Sequence, residues 1–224
     1  MKVLIIELTN KCEMDCWFCP HSKMKRKQGF ISFKTVNTSI EKMRLLGHTS
    51  TVLTNIGESL LHPHFFEIVE MFKEFHTEVT VNACALTERI VDRLINSSLD
   101  YLRISVDFDC NDVLVQRLLD EHKNAEVNFK GDCRETVVRL IKKWPKAQIM
   151  YLTNWAGQMD FNNEVHSEIC PLEEQDAGVL LWDGRITPCC FDYEGNMAIG
   201  TIDELESLHR EDDYEMCHTC GGLF

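Results

Sequence analysis

The strongest constraint on the fold is a regular alternation of short apolar segments with longer amphipathic ones. The short segments are rich in β-branched residues and recur about every 20–30 residues, each followed by helical periodicity. They are residues 3–8, 51–54, 78–81, 101–106, 126–129 and 148–152. Six such units predict an α/β fold in which a parallel sheet is covered by helices.

The pattern changes after residue 152. Residues 178–182 and 186–188 predict a β-hairpin that turns at Asp183-Gly184. A short helix is predicted over residues 201–210, with Thr201 as its N-cap. Because no low-complexity linker precedes this part, we expect about the last 65–70 residues to pack onto the first part.

Charge and hydropathy exclude two classes of function. The 224 residues include 23 Lys and Arg against 36 Asp and Glu, which gives a formal net charge of −13. This balance argues against general nucleic-acid binding, which depends on cationic side chains that neutralise phosphates. No apolar run approaches the roughly 20 residues that a membrane span requires. No export signal is recognised, so we expect a cytoplasmic protein.

The eleven cysteines are the unusual part of the composition. Their number is odd, and a reducing compartment disfavours structural disulfides. Clustered cysteines in such a protein indicate metal ligands or redox groups. Their spacing decides between these roles.

Cys12, Cys16 and Cys19 follow directly after the first predicted strand. The carboxyl end of a parallel strand is where folds of this class place their active sites. Because a [4Fe–4S] cluster needs four ligands, three thiolates leave one iron open for another molecule. The alternative is a zinc site in which His21 supplies the fourth ligand.

The Cys-x3-Cys-x2-Cys spacing, with Phe18 just before the last cysteine, resembles the signature of the radical S-adenosylmethionine (SAM) enzymes. The resemblance implies that the open iron binds the amine and carboxylate of SAM. One electron then cleaves SAM to a 5′-deoxyadenosyl radical that removes a substrate hydrogen. It further implies a partial (β/α)6 barrel over residues 1–155, with Phe18 beside the adenine.

Other segments resemble the same family. Gly57-Glu58-Ser59 follows the second strand and is similar to the Gly-Glu-Pro segment that contacts the methionine amine, with Ser59 in place of proline. Asn82 ends the third strand, where relatives often have Thr-Asn-Gly. The resemblance therefore implies that residues 57–59 bind the cofactor.

Polar residues also end the later strands. Ser105-Val106-Asp107 resembles the Ser-x-Asp-Gly segment that places polar groups near the ribose or the substrate, with Phe108 in place of glycine. Ser105 and Asp107 are thus expected to bind the cofactor. From strand-end position alone, the candidates for catalytic residues are Asp107, Asn128 and Trp155.

A second cysteine group resembles the twitch form of the SPASM/twitch extension found in this family. It consists of Cys170, Cys189, Cys217 and Cys220. The resemblance implies a small C-terminal domain, residues 156–224, built from a β-hairpin and a helix. Its four thiolates would ligate an auxiliary [4Fe–4S] cluster, with Cys190 as the rival of Cys189. A structural zinc site is the alternative.

The resemblance implies a radical SAM oxidoreductase with two [4Fe–4S] clusters. The expected reaction is dehydrogenation or epimerisation of a small sugar-like or aminocyclitol-like molecule, with flavodoxin or ferredoxin as electron donor. One alternative is a maturase of ribosomal peptides, disfavoured because the chain begins directly at the first strand and leaves no room for a leader-binding domain. Another is a non-enzymatic iron–sulfur or zinc-stabilised electron-transfer module.

A basic stretch lies beside the first cysteines. Its cationic residues are Lys23, Lys25, Arg26 and Lys27. We expect a solvated loop. The functional alternative is a basic rim that guides an anionic substrate or a reductant.

Overall fold

The computed structural model describes residues 3–106, 110–130, 134–150, 155–159, 170, 172, 177–208 and 214–220. The strands in these ranges are β1 Val3–Ile6, β2 Ser50–Val52, β3 His76–Asn82, β4 Tyr101–Ser105, β5 Ala125–Lys130, β6 Gln148–Met150, β7 Gly178–Leu180, β8 Arg185–Thr187 and β9 Gly200–Thr201. The α-helices are α1 Phe33–Leu46, α2 Phe65–Met71, α3 Glu88–Ile95, α4 Asp112–Glu121 and α5 Arg134–Lys143. The fold is α/β with a mostly parallel sheet that is not closed, which confirms the predicted class.

Helix α1 shows how local sequence sets these elements. Ser32 accepts a hydrogen bond from the Thr35 backbone N–H at 3.1 Å and so satisfies an N–H group that has no partner within the helix. Gly47 ends the helix with a φ of +69°, a left-handed conformation that glycine adopts readily. Val36 and Met43 lie on the buried face between these ends, as the periodicity predicts.

Residues 1–62 and 153–224 contribute to one compact unit. Strand β1 lies at its centre and pairs in parallel with β2 on one side and with β7 on the other. Strand β7 turns back into β8, and β8 pairs with β9, both antiparallel. The predicted C-terminal hairpin is thus present, and it continues the sheet directly from β1.

Residues 63–152 form the second compact unit, with parallel strands β3, β4, β5 and β6. Burial alternates along β3, where Val79 and Val81 are buried while Thr80 and Asn82 are partly exposed. Strand β4 alternates in the same way. One face of these two strands is therefore apolar and the other polar.

The predicted C-terminal helix is shorter than expected. It is a 3-10 helix, Ile202–Ser207, and Thr201 and Glu204 form a capping box at its start. The Glu204 carboxylate accepts from the Thr201 backbone N–H at 3.1 Å. None of the helices in the described ranges is long and apolar enough to cross a membrane.

Candidate functional site

The three N-terminal cysteines lie in the cysteine loop, residues 10–20, which follows β1. Each of the three is a reduced cysteine outside any disulfide, and each is partly exposed. The Cys19 backbone N–H donates to the Cys16 carbonyl at 2.9 Å, a turn that brings these two cysteines close together. The Cys12 sulfur accepts from the Met14 backbone N–H at 3.5 Å.

The surroundings of Cys12 raise the pKa of its thiol. Burial raises this pKa most, the nearby Glu58, Cys19 and Glu13 raise it further, and the Met14 N–H opposes them. A thiol binds a metal only after it loses its proton, and a bound cation stabilises the thiolate. Soft sulfur donors in this number fit an iron–sulfur cluster with one open iron.

Within the part of the chain that the structure describes, no three His, Cys, Asp or Glu side chains are gathered in position to hold a metal ion. In proteins, ligands commonly assemble as the metal binds, because metal binding is coupled to local folding.

Gly57 lies against the start of the cysteine loop. Its φ is +99°, and a Cβ at this position would lie 2.5 Å from the Thr9 carbonyl oxygen and 2.9 Å from that of Lys11. Glu58 donates its backbone N–H to the same Lys11 carbonyl at 2.8 Å. Only glycine permits this contact, which places residues 57–59 directly beside the cysteine loop.

The two residues after Gly57 are fixed by local hydrogen bonds. The Glu58 side chain is buried and accepts from the Leu60 backbone N–H at 3.0 Å. Ser59 donates its hydroxyl to the Leu53 carbonyl at 2.7 Å. Ser59 thus joins this segment to the end of the second strand.

His21 is the residue that the zinc alternative assigns as the fourth ligand, and in the structure its ring contacts Asn10. Its Nε2 lies 2.9 Å from the Asn10 carbonyl oxygen. The Asn10 side chain in turn accepts from the Gly29 N–H at 2.9 Å and donates to the Lys27 carbonyl at 3.0 Å. His21 and Asn10 therefore help to close the loop on itself.

Arg26 departs from the expected solvated loop, whereas the three lysines of the same stretch are exposed as expected. Its guanidinium is buried and forms a bidentate ion pair with the buried Glu7 carboxylate. The backbone N–H groups of Lys25 and Arg26 both donate to the Glu194 carboxylate, at 2.7 and 2.9 Å. This burial depends on residues far away in the sequence, which is why the run of basic residues did not reveal it.

Three polar residues form a row across β3, β4 and β5, at the last residue of β3 and of β4 and two residues before the end of β5. Asn82 is in register with Ser105, and Ser105 with Asn128. Asn128 is buried, whereas the Asn82 side chain also accepts from the Cys84 N–H at 2.8 Å. The row brings Ser105 and Asn128 together as neighbours. Asp107 lies outside the described residues.

An ion network that sequence reasoning missed lies one layer below this row. Arg103 donates to Glu78 at 2.7 Å and to Glu126 at 3.0 Å. Beside it, burial and a hydrogen bond with Glu126 raise the pKa of Tyr101 to about 12. A charged residue in each of three successive predicted strands was the available signal, because strands of a covered sheet are usually apolar.

The second cysteine group is only partly assembled. Cys170 and Cys190 pack against the apolar residues Val3, Leu172 and Ala177. A hydrogen bond with Cys189, burial and the charges of Cys189 and Cys170 raise the pKa of the Cys190 thiol well above its usual value. Cys170, Cys189 and Cys190 are therefore close neighbours.

The remaining two cysteines of this group lie in the 3-10 helix Glu215–Thr219 and directly after it. Cys220 donates its backbone N–H to the Cys217 carbonyl at 3.2 Å. This turn matches the one between Cys16 and Cys19. Cys217 is exposed and Cys220 partly buried.

The loop that carries Cys189 is held by Asp192. This buried carboxylate accepts from the Thr187 hydroxyl at 2.8 Å and from the backbone N–H groups of Asn196 and Met197 at 2.9 and 2.8 Å. A buried carboxylate with three donors is well satisfied. Asp192 thus fixes the chain immediately after the two adjacent cysteines.

Trp155 links the two cysteine-bearing regions. Its indole N–H donates to the Phe18 carbonyl at 3.0 Å. The Trp155 ring lies 5.4 Å from the ring of Phe191 and 6.4 Å from that of Tyr193, centroid to centroid. Trp155 therefore contacts both the cysteine loop and the chain after Cys190.

Comparison with known proteins agrees with this geometry. Residues 6–164 match the Radical SAM superfamily. The chain is 22% identical over 213 residues to the S-adenosyl-L-methionine-dependent 2-deoxy-scyllo-inosamine dehydrogenase of Niallia circulans, covering 89% of this chain and 77% of that protein. It is 23% identical over 201 residues to a cofactor-modifying protein for a tungsten-containing aldehyde ferredoxin oxidoreductase of Pyrococcus furiosus, covering 83% of this chain and 56% of that one.

Solved structures show the same fold. BtrN in complex with AdoMet and 2-DOIA superposes with a TM-score of 0.68 at 20% identity, over 94% of this chain and 82% of BtrN. SuiB of Streptococcus suis, bound to its precursor peptide SuiA, gives a TM-score of 0.70 at 14% identity, over 98% of this chain and 69% of SuiB. These similarities concern the fold.

Proposed function

Because this chain belongs to the Radical SAM superfamily, we propose that it is a dehydrogenase that oxidises a small ring compound bearing hydroxyl or amino groups, such as an aminocyclitol. Family membership implies a [4Fe–4S] cluster and SAM. When bound, they supply the acceptor for a substrate hydrogen atom. The observation that carries the proposal is that a second cysteine group folds into the same compact unit as the cysteine loop.

A second cluster would favour net oxidation over a redox-neutral reaction. Conversion of an alcohol to a ketone removes two electrons and two protons. SAM cleavage accounts for one hydrogen atom, so a proton and an electron remain. A cluster held by the second cysteine group would supply an acceptor for that electron, and its four thiolates are Cys170, Cys189, Cys217 and Cys220.

The residues proposed to hold the first cluster and SAM lie on three segments. Cys12, Cys16 and Cys19 hold the cluster. The residues proposed to contact SAM are Phe18, Gly57, Glu58, Ser59, Ser105 and Asp107. The close contact of Gly57 with the cysteine loop supports this assignment, because it leaves no room for a side chain between cluster ligands and cofactor-binding residues.

The polar row supports a polar, ring-shaped substrate. Ser105 offers a hydroxyl, and Asn82 and Asn128 offer amides, which can donate and accept hydrogen bonds. Side chains in register on neighbouring strands lie about 4.8 Å apart, close to the spacing of hydroxyl groups on a cyclitol ring that are not directly adjacent. We assign Asn128 to substrate binding and retain Asp107 as the candidate for the catalytic proton acceptor.

Two of the similar proteins indicate two candidate classes of substrate. The dehydrogenase of Niallia circulans acts on 2-deoxy-scyllo-inosamine, which favours an aminocyclitol. SuiB binds a precursor peptide, and its fold covers nearly the whole chain, so peptide maturation is the second candidate. A flavodoxin or ferredoxin as electron donor, and a cytoplasmic location that keeps the thiols reduced, complete the proposal.

The test is anaerobic reconstitution with iron and sulfide, followed by iron analysis and incubation with a reductant and SAM. Two [4Fe–4S] clusters predict about eight irons per chain, and the Cys12/Cys16/Cys19→Ala variant should retain about four. Cys84→Ala is the matched control, because Cys84 is exposed and outside both groups. About four irons plus one zinc in the wild type would replace the second cluster with a structural zinc site.

A further inference from the structure

Residues 155–159 are here called the turn segment. Among the described residues, the turn segment contacts the cysteine loop, the chain after Cys190 and the 3-10 helix between Cys217 and Cys220. Cys170 lies outside these three regions. These contacts bear on how iron binding at one cysteine group affects the other, and the inference drawn from them rests on the proposed function. The contacts fall into three sets.

The first set holds one particular peptide bond of the cysteine loop. The Trp155 indole N–H donates to the Phe18 carbonyl at 3.0 Å. The N–H of the same peptide unit belongs to Cys19 and donates to the Cys16 carbonyl at 2.9 Å. Both polar groups of the Phe18–Cys19 peptide are thus occupied, which fixes its plane and, with it, the direction of the Cys19 side chain.

The second set reaches the chain after Cys190. The Gln158 amide nitrogen donates to the carbonyls of Trp155 and Phe191, at 2.7 and 2.8 Å. The rings of Trp155 and Phe191 lie against each other. Gln158 therefore joins the backbone that carries Trp155 to a residue directly following the two adjacent cysteines.

The third set reaches the 3-10 helix between Cys217 and Cys220. The Thr219 hydroxyl donates to the Ala156 carbonyl at 2.7 Å. A Cβ on Gly157 would lie 2.6 Å from that same hydroxyl oxygen. The turn segment and the Thr219 side chain are therefore so close that a side chain at position 157 would not fit between them.

The backbone of the turn segment is strained. Trp155 and Ala156 have φ values of 51° and 54°, and Gly157 follows at 80°. Side chains with a Cβ rarely adopt this left-handed region. A strained conformation persists where its surroundings over-determine it, and the three sets of contacts do so here.

We propose that Trp155 is a positioning residue that holds the Phe18–Cys19 peptide, and that the turn segment couples occupation of the two cysteine sites. Ligation of iron by Cys217 and Cys220 would order Thr219, which holds Ala156 and so holds the Trp155 indole on the Phe18 carbonyl. Iron in the C-terminal site then slows iron loss from the cysteine loop.

The first test needs no cluster. The full-length, metal-free chain is alkylated with iodoacetamide, and the modification of Cys16 and Cys19 is followed over time by peptide mass spectrometry. Trp155→Phe keeps an aromatic ring and removes the N–H, so both cysteines should react about fivefold faster, as expected for one lost hydrogen bond. Equal rates in Trp155→Phe and wild type would overturn the positioning role.

The matched control is Trp144→Phe. Trp144 is also buried, lies in the other compact unit, and has an indole nitrogen without a hydrogen-bond partner. Its substitution should leave the alkylation rates of Cys16 and Cys19 unchanged. If Trp144→Phe accelerates alkylation as much as Trp155→Phe does, the effect is a general loosening of the fold and the proposal is wrong.

The second test measures coupling in the reconstituted protein, as iron released to a chelator from the cysteine loop. Removing the second site with Cys217→Ser and Cys220→Ser should speed that release about fivefold in the wild-type background and not at all in Trp155→Phe. Thr219→Val, which keeps the shape and removes the hydroxyl, should also abolish the difference. A difference of the same size in all three backgrounds would contradict coupling.

A spectroscopic readout separates positioning from mere stability. With the second site removed, the electron paramagnetic resonance spectrum of the reduced cluster, and its change on SAM addition, should differ between Trp155→Phe and Trp144→Phe. Identical spectra would contradict the positioning role. Failure of the proposed function is distinct, since it appears as iron-loaded wild-type protein that releases no 5′-deoxyadenosine, whereas the alkylation test needs neither iron nor SAM.

Discussion

Arg26 and Glu7 close the base of the cysteine loop with a buried bidentate ion pair, Nη1 to Oε1 at 2.8 Å and Nη2 to Oε2 at 2.5 Å. Glu7 follows β1 and Arg26 follows the last of the three cysteines, so the pair encloses the whole loop. Arg26 also donates to the Tyr193 carbonyl, and Glu7 accepts from the Trp182 backbone N–H. The loop is thereby joined to the C-terminal hairpin.

Replacement of Arg26 by methionine should destabilise the protein strongly. The substitution leaves the Glu7 carboxylate buried without its cation, a change that typically costs about 3–5 kcal/mol. We expect the free energy of unfolding of the metal-free chain, measured with urea, to fall by about this amount. Lys73→Met, which removes an exposed ion pair with Glu70, should change it by less than about 1 kcal/mol. Similar losses in the two variants would show that the Arg26 pair is not desolvated.

Gly57→Ala should disturb the cysteine loop more than the same substitution at a left-handed glycine elsewhere in the chain would. Its Cβ would lie 2.5 Å from the Thr9 carbonyl oxygen, so overpacking of about 2 kcal/mol adds to about 1 kcal/mol of backbone strain. Gly184→Ala is the control, because Gly184 has a similar φ of +92° and open space around it. Iron bound after reconstitution should fall in Gly57→Ala and stay at the wild-type level in Gly184→Ala. Wild-type iron in Gly57→Ala would contradict the close contact.

Asn128→Ala should weaken substrate binding and spare the cofactor. Loss of one or two hydrogen bonds to a polar ring predicts a rise of about tenfold in KM, with SAM affinity unchanged. Asn96→Ala provides the comparison, because Asn96 is exposed and bonds only locally to the Asp92 carbonyl at 2.7 Å. An unchanged KM in Asn128→Ala would remove this residue from the substrate site.

Tyr101 should titrate well above a tyrosine in an unfolded chain. Burial and Glu126 raise its pKa to about 12, whereas an unfolded tyrosine ionises near pH 10. The folded pKa is the higher one, so the stabilisation is present below pH 10 and is lost as the pH rises through about 12. After a rapid pH jump, tyrosinate absorbance should show a component near pH 12 that Tyr101→Phe lacks. If the component near pH 12 persists in Tyr101→Phe, it belongs to another residue.

Local features of the site could be predicted from the sequence. The spacing of Cys12, Cys16 and Cys19 and the helical periodicity after the first strand both depend on neighbouring residues. The structure shows a helix there, α1, capped by Ser32 and Gly47. Gly57 was singled out from its motif, and the structure supplies the physical reason, a backbone contact that excludes a Cβ.

Long-range features could not be predicted in the same way. The parallel pairing of β1 with β7 joins residues more than 170 positions apart, and no local pattern specifies it. Arg26 was expected in solvent because its neighbours are lysines, yet Glu7, Tyr193 and Glu194 determine its burial. The ion network of Arg103 likewise depends on the register of three strands.

The most direct test of the account is deuterium transfer to 5′-deoxyadenosine. Reconstituted, reduced protein is incubated with SAM and 2-deoxy-scyllo-inosamine that carries deuterium on its carbinol carbons, and the products are analysed by mass spectrometry. We predict deuterated 5′-deoxyadenosine and a ketone product in equal amounts from the wild type, and neither from Cys16→Ala. Fully iron-loaded wild-type protein that releases no 5′-deoxyadenosine under reducing conditions, with this compound or with a precursor peptide, would contradict the account.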